Sequence, residues 1–211
     1  MNIVLGITGS VAAILTEKLC TSLLSAGHSV KIVATNPALY FLPQETGDHL
    51  RLAVSGGGYA AVELFRDKDE WPLGGYHKND PVKHIEFRTW ADLLLIAPLS
   101  ANTLAKMAHG ICDNFLCCIA RAWPKEKPVV LAPAMNTEMW IDPITGEHFA
   151  ALRKRFPNLT LVEPESGLLA CGDSGVGAMG RIENIAEAIA KVPYQKHLWS
   201  ISGPPDDWES I

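Results

Sequence analysis

An α/β fold, with one parallel sheet covered by helices on both faces of a single domain, is what this sequence predicts. Three observations predict it. Short apolar runs without polar alternation recur along the chain, as strands buried on both faces require. Segments with helical spacing stand between them, which is the pattern of successive βα units. Pro98, Pro133 and Pro164 close three of the runs, so each run leads into a loop at the carboxyl edge, where such sheets bind ligands.

The elements follow in order. NIVLGI (2–7) is a strand, and SVAAILTEKLCTSLLSAG (10–27) continues at helical spacing to a terminal glycine. SVKIVAT (29–35) is the second strand. Asn36-Pro37 reads as an N-cap and first-turn pair for a short helix over 38–42. The stretch 45–85 is Gly-rich and irregular, and its strand content stays open. DLLLIAP (92–98) is a third clear strand, followed by a helix from Ser100 to about Gly110 and another over 113–123. PVVLAP (128–133) and LTLVEP (159–164) are strands, and IENIAEAIAKV (182–192) is a closing helix. Residues 1–192 therefore form one domain. The remainder, 193–211, carries Pro, Gly and acidic residues and reads as a loosely attached tail.

Composition bounds the function. A chain of 211 residues suits one domain, burying about 70% of its unfolded surface. With 48% hydrophobic and 19% charged residues the chain is globular and not disordered. A net charge of −5, with no basic stripe, argues against a nucleic-acid surface. The five cysteines are an odd number without a CxxC pair, which argues against a disulfide framework and against a zinc site. Reduced thiols in a cytoplasmic protein, with no metal, are the expectation. The apolar opening lacks a basic flank and is broken by Gly6, Thr8, Gly9 and Ser10, so it reads as a strand and a helix start and not as a signal peptide. No segment reaches the roughly 20 apolar residues of a membrane span.

Five stretches carry chemistry. GITGSVAAI (6–14) lacks both GxGxxG and the GK[ST] of a triphosphate loop. Gly9 and Ser10 at a helix start suit a single phosphate, and equally an ordinary N-cap. APLSANTLAK (97–106) clusters Ser100, Asn102 and Thr103 where capping needs only one of them. His84 precedes the third strand and is either a base near neutral pH or a structural imidazole. APAMNTEMW (132–140) places Asn136 between Met135 and Met139, closed by Trp140, and these apolar residues are either a pocket wall or part of the core. ACGDSGVGAMG (170–180) sets Cys171 beside Gly172, Gly175, Gly177 and Gly180, as a mobile lid with a reactive thiol would.

GSVAAI, HIEFRTWAD, APLSANTLAKMAHGICDNFL, PAMNTEMW and ACGDSGVGAM run in this order over about residues 2–190. Together they resemble the motifs of the homo-oligomeric flavin-containing cysteine decarboxylases. PxMNxxMW is specific to that superfamily, and the ACGD loop places the resemblance in the branch acting on 4′-phosphopantothenoylcysteine. The resemblance implies a flavodoxin-like (Rossmann-type) homotrimer with FMN at the subunit boundary. The FMN phosphate would sit on Gly9, Ser10 and Val11. The ring and ribitol would lie around Thr35, Asn36, Ser100, Ala101, Asn102, Thr103 and Ala134, although TNPALYFL (35–42) follows the family's Ser-rich form only loosely. Asn136 would bind the substrate carboxylate, with Met139, Leu168, Leu169 and Ala170 around the substrate, and Met135 and Trp140 completing an apolar wall. The implied reaction oxidises the cysteine end to a thioaldehyde, loses CO2 to an ene-thiolate and is reduced again to 4′-phosphopantetheine, a step of coenzyme A biosynthesis. His84 is then the proton acceptor and Cys171 the proton donor of the reductive half. Three other readings compete: a flavin prenyltransferase, a decarboxylase of peptide C-terminal cysteines, and a non-catalytic relative that inhibits a phosphatase. The paired PxMNxxMW and ACGD motifs, with His84, Asn136 and Cys171 all present, argue against each.

Overall fold

The computed structural model describes residues 1–42, 49–54, 58–71, 75, 77–78, 80–168 and 174–193. Its central sheet has the strand order β3-β4-β2-β1-β5-β6-β7. The strands are β1 (Asn2–Ile7), β2 (Ser29–Ala34), β3 (His49–Val54), β4 (Gly58–Arg66), β5 (Leu93–Leu99), β6 (Val129–Pro133) and β7 (Leu159–Leu161). Six of them run parallel, and β3 pairs antiparallel on β4 at the edge. The helices are α1 (Thr16–Ser25), α2 (Asn36–Leu39), α3 (Lys83–Trp90), α4 (Ala101–His109), α5 (Phe115–Ala122), α6 (Thr137–Ile141), α7 (Pro143–Arg155) and α8 (Ile182–Ala190). A separate antiparallel hairpin joins β8 (Glu165–Leu168) to β9 (Ser174–Ala178).

The sheet is apolar on both faces because both are covered. Along β1, Ile3, Leu5 and Ile7 face one core with Leu19 and Leu23 of α1 and Ile185 and Ile189 of α8. Val4 faces the other, with Phe87 of α3, Leu104 of α4, Phe115 and Ile119 of α5 and Phe149 of α7. Successive strand side chains point to opposite faces, so a run such as Leu93–Leu99, buried throughout, shows no alternation. The chain passes from β1 to β2 in one direction and returns to place β5 on the other side of β1. The strand order thus reverses between β1 and β5, and the carboxyl ends there open a crevice.

Several expectations need correction. The helix expected over 10–27 is a 3-10 turn at Val11–Leu15 followed by α1. Of the turn's residues only Ala13 is buried, and Val11 and Ile14 are 41% and 61% exposed, so no core draws that stretch into a regular helix. Thr35, not Asn36, is the N-cap residue of α2. The open stretch 45–85 contains β3 and β4. Helices α3 and α7 escape sequence reading because their apolar stripes are weak: α3 buries Phe87 alone, and α7 buries Thr145 and His148 beside Phe149 and Leu152. The glycines read as a mobile lid are partly strand. Gly175 and Gly177 lie in β9, and each is required by close approach: a Cβ would strike the Thr137 side chain at one and the Met135 carbonyl at the other. The tail 194–211 lies outside the described residues.

Candidate active site

The crevice at the β1/β5 reversal is a cavity of about 710 Å³, within the usual range for a ligand site. Thr8, fully buried, holds its two rims together. Its hydroxyl donates to the Pro98 carbonyl at 2.7 Å and accepts the Ser100 N–H at 2.7 Å. The first rim is the 3-10 turn. The Ser10 hydroxyl accepts the Ala12 N–H at 3.4 Å, and the Ser10 N–H turns back to the Thr8 carbonyl at 2.8 Å. Gly9 packs so closely on Pro37 that a Cβ would lie 2.6 Å from that ring. The second rim is the start of α4, where the Ser100 hydroxyl accepts the Thr103 N–H at 3.3 Å. Both rims present helix starts, whose N–H groups and dipoles favour anionic or electron-rich groups.

The third wall follows β6. Asn136 caps α6, its Oδ1 accepting the Glu138 N–H at 2.8 Å, which fixes the orientation of the amide. The Met135 N–H donates to the Gly177 carbonyl at 3.0 Å, so the base of the β8–β9 hairpin is tied to this wall. Gly177, at φ 151°, allows that approach.

The cavity collects most of the expected residues. Gly9, Ser10, Val11, Thr35, Ser100, Ala101, Asn102 and Thr103 line it, as do Ala134, Met135, Asn136 and Met139. Asn36, Trp140 and His84 stand apart from it. Asn36 is not among the lining residues; it is exposed, and its N–H donates to Asp67 Oδ2 at 3.3 Å. Trp140 packs edge-on against Phe149, centroids 5.9 Å apart, on the second core and away from the cavity. Cys171, Leu169 and Ala170 lie outside the described residues; Leu168 ends β8. Lys106 and Asn114 also line the cavity without having been singled out. Lys106 forks onto Asp113 with 2.8 and 2.7 Å contacts. A helical Lys shows no sequence signal of facing a crevice, whereas the Asn114 cap position did have one.

His84 is not among the lining residues either. It occupies the first turn of α3, and its Nδ1 lies 2.9 Å from Oε1 of Glu70. The Glu70 side chain is 2% exposed and that of His84 21%. Cys118 of α5 completes the cluster, with one ligand-type atom from each residue within 4.8 Å of the others. Burial, and then the neighbouring Glu70 carboxylate, push the Cys118 thiol up to about 12, and the thiol donates to the Cys112 carbonyl at 3.4 Å. Lys127 anchors the far end of α3: its Nζ donates to the carbonyls of Arg88 and Ala91 at 2.8 Å each.

Comparison with known proteins places this arrangement. The model of the Flavoprotein family matches residues 1–193. The chain belongs to the Flavoprotein family. Among its relatives, the phosphopantothenoylcysteine decarboxylase of Mus musculus is 42% identical over 193 residues, covering 90% of this chain and 86% of that protein. The probable thymidylate synthase of Schizosaccharomyces pombe is 44% identical over 195 residues. This chain spans only 29% of that longer relative. A solved family structure, a cysteine-to-serine mutant of PPC decarboxylase complexed with pantothenoylaminoethenethiol, superposes with a TM-score of 0.76 at 42% identity. That match covers 90% of this chain and 96% of the other. The FMN binding protein AtHal3 matches at a TM-score of 0.75 and 43% identity, over 90% of this chain and 94% of that one. No described helix is long and apolar enough to cross a membrane.

Proposed function

We infer that this protein is an FMN-dependent 4′-phosphopantothenoylcysteine decarboxylase, a lyase of coenzyme A biosynthesis. The observation that carries this reading is the single cavity wall-to-wall arrangement at the strand reversal: two polar helix starts face the Met135–Asn136–Met139 wall. The residues fit FMN. The 3-10 turn offers backbone N–H groups and the Ser10 hydroxyl to a phosphate. Val11 and Met139 offer apolar surface to a ring, and Gly9 leaves no side chain in the way.

When bound, FMN supplies a reversible two-electron acceptor. The protein does the rest. The Asn136 amide holds the substrate carboxylate, and its orientation is set by the cap bond to Glu138. Met135 and Met139 keep water from the sulfur end. His84 takes the proton released when the cysteine end becomes a thioaldehyde, and Cys171 returns a proton to the ene-thiolate carbon skeleton in the reductive half.

The same reading makes the protein a cytoplasmic homotrimer. His84 stands off the cavity of its own chain, and Val11, Ile14, Met139, Ile141 and Ile144 are 41–61% exposed. Both features support a site completed by a neighbouring copy. The described cysteines, Cys20, Cys112, Cys117 and Cys118, are free thiols, as suits a reducing compartment.

The test is anaerobic mixing of the yellow, FMN-loaded protein with 4′-phosphopantothenoylcysteine, followed by flavin absorbance and product mass. The wild type should form 4′-phosphopantetheine. Cys171→Ser should lose CO2 and stall at the ene-thiol. Colourless protein that FMN cannot reconstitute, or holoprotein that leaves the substrate intact, overturns the reading.

A further inference from the structure

Glu70 is a buried carboxylate that the reaction outlined above does not use. Its side chain is 2% exposed, and no Lys or Arg of the described residues pairs with it. A carboxylate taken out of water is costly unless it is hydrogen-bonded. Its side-chain partner here is the His84 imidazole at 2.9 Å, and the thiol of Cys118 lies within 4.8 Å. Trp71, the next residue, brings its ring edge-on to the imidazole with centroids 6.4 Å apart. Glu70 itself is fixed by the 3-10 turn at Asp67–Asp69, its N–H donating to the Asp67 carbonyl at 3.3 Å.

A neutral imidazole has one N–H and one bare nitrogen, and the partner of the first decides which is which. An ionised carboxylate can only accept. Opposite Glu70, Nδ1 must therefore carry the hydrogen, and Nε2 keeps its lone pair. The thiol of Cys118, held protonated by burial and by the nearby carboxylate, donates to the Cys112 carbonyl at 3.4 Å and is not a rival base. With the imidazole of α3 at 2.9 Å and the thiol of α5 within 4.8 Å, the carboxylate has little freedom to turn.

We propose that Glu70 is the positioning residue of His84, fixing the Nδ1–H tautomer so that Nε2 is the nitrogen that accepts the proton. This rests on the reading of His84 as the base. The substrate's S–H bond breaks as the Nε2–H bond forms, and the resulting imidazolium keeps its Nδ1–H bond to the Glu70 carboxylate.

Two measurements on the FMN-loaded protein test it. Nitrogen-15 NMR of histidine-labelled holoprotein, with the His84 signals assigned by their loss in His84→Asn, should show neutral His84 protonated at Nδ1. Glu70→Gln, which can donate to Nδ1 through its amide, should raise the share of Nε2–H tautomer. It should also lower kcat on the order of 10²–10³-fold, with KM and bound FMN unchanged. Wild-type His84 protonated at Nε2 overturns the proposal, and this holds even where Glu70→Gln fails to fold. So does a Glu70→Gln protein whose kcat stays within twofold of wild type, or whose kcat falls with the tautomer unmoved. A holoprotein with the Nδ1–H tautomer that turns over no substrate refutes the proposed function and leaves the positioning of His84 standing.

Discussion

The cavity between β1 and β5 and the Glu70–His84–Cys118 corner are built in opposite ways. The cavity is made mostly of backbone: helix starts, glycines without room for a Cβ, and a buried threonine joining two strand ends. Most of its side chains are small or apolar, Lys106 being the charged exception. The corner is made of side chains, brought from beside a 3-10 turn and from α3 and α5, with the imidazole and carboxylate paired to each other. Backbone geometry suits the holding of a large ligand, because it is rigid and costs no side-chain entropy. A proton acceptor instead needs a titratable ring held by a partner, which only side chains provide. In one chain the two regions do not meet, so binding and proton transfer separate under mutation.

The largest expected effect is at the corner. His84→Asn should lower turnover about 10²–10⁴-fold while leaving the protein yellow and its flavin oxidised in the presence of substrate. Flavin loss from this variant would show that the corner helps to hold the cofactor and would break the distinction. Mixed oligomers of His84→Asn with an Asn136 variant sharpen it: activity should reappear where one chain lends its cavity and its neighbour the imidazole.

Asn136→Asp comes next. The cap on α6 survives, because Asp caps as well as Asn, so thermal stability should not change. A carboxylate facing the substrate's own should lower kcat/KM on the order of 10–100-fold, as expected when a charge-assisted hydrogen bond of about 1.5–3 kcal/mol is lost. An unchanged kcat/KM would remove Asn136 from substrate binding.

Lys127→Met tests stability and not chemistry. Two carbonyls at the end of α3 lose their donor, which should cost about 1–3 kcal/mol, read as a lower denaturation midpoint with an unchanged slope. FMN bound per chain should stay constant, since the cavity shares no contact with this residue.

The smallest effect belongs to Asp67, which lies between the two regions. Its oxygens accept the N–H of Asn36 at the start of α2 and of Phe115 at the start of α5, each at 3.3 Å. Burial raises its carboxyl above the ordinary 3.8, against the lowering by those two N–H groups. The folded state thus binds a proton more readily than the unfolded one. Its contribution to stability is present at low pH and is lost as pH rises through the mildly acidic range. Asp67→Asn should remove that part of the slope of melting temperature against pH in the mildly acidic range. An unaltered slope would show that Asp67 does not differ between the two states.

Legibility in the sequence followed the same division. The strands β1, β2, β5 and β6 and the caps Ser100, Asn114 and Asn136 are written locally, because full burial demands apolar runs and capping demands a short polar side chain at a fixed offset. The two rims and the Met135–Asn136–Met139 wall were therefore readable as parts of one edge. For Trp140 the sequence leaves pocket wall and core equally open, because an aromatic beside a site looks the same as one packed on Phe149. The glycines of β9 looked like freedom and are instead close approach to Thr137 and Met135, a distinction that exists only once the hairpin meets its wall.

By itself, the sequence determined the fold class and gathered Ser10, Ser100, Asn102, Thr103 and Asn136 at one edge of the sheet, since periodicity and capping are properties of neighbours along the chain. Tertiary structure alone decided that Thr8 bolts the two rims together, that Lys106 faces the crevice, and that Glu70, fourteen positions from His84, is the partner of its ring. These are pairings across long separations, and which side chains meet is set by how helices pack on a twisted sheet, not by the order in which residues are joined.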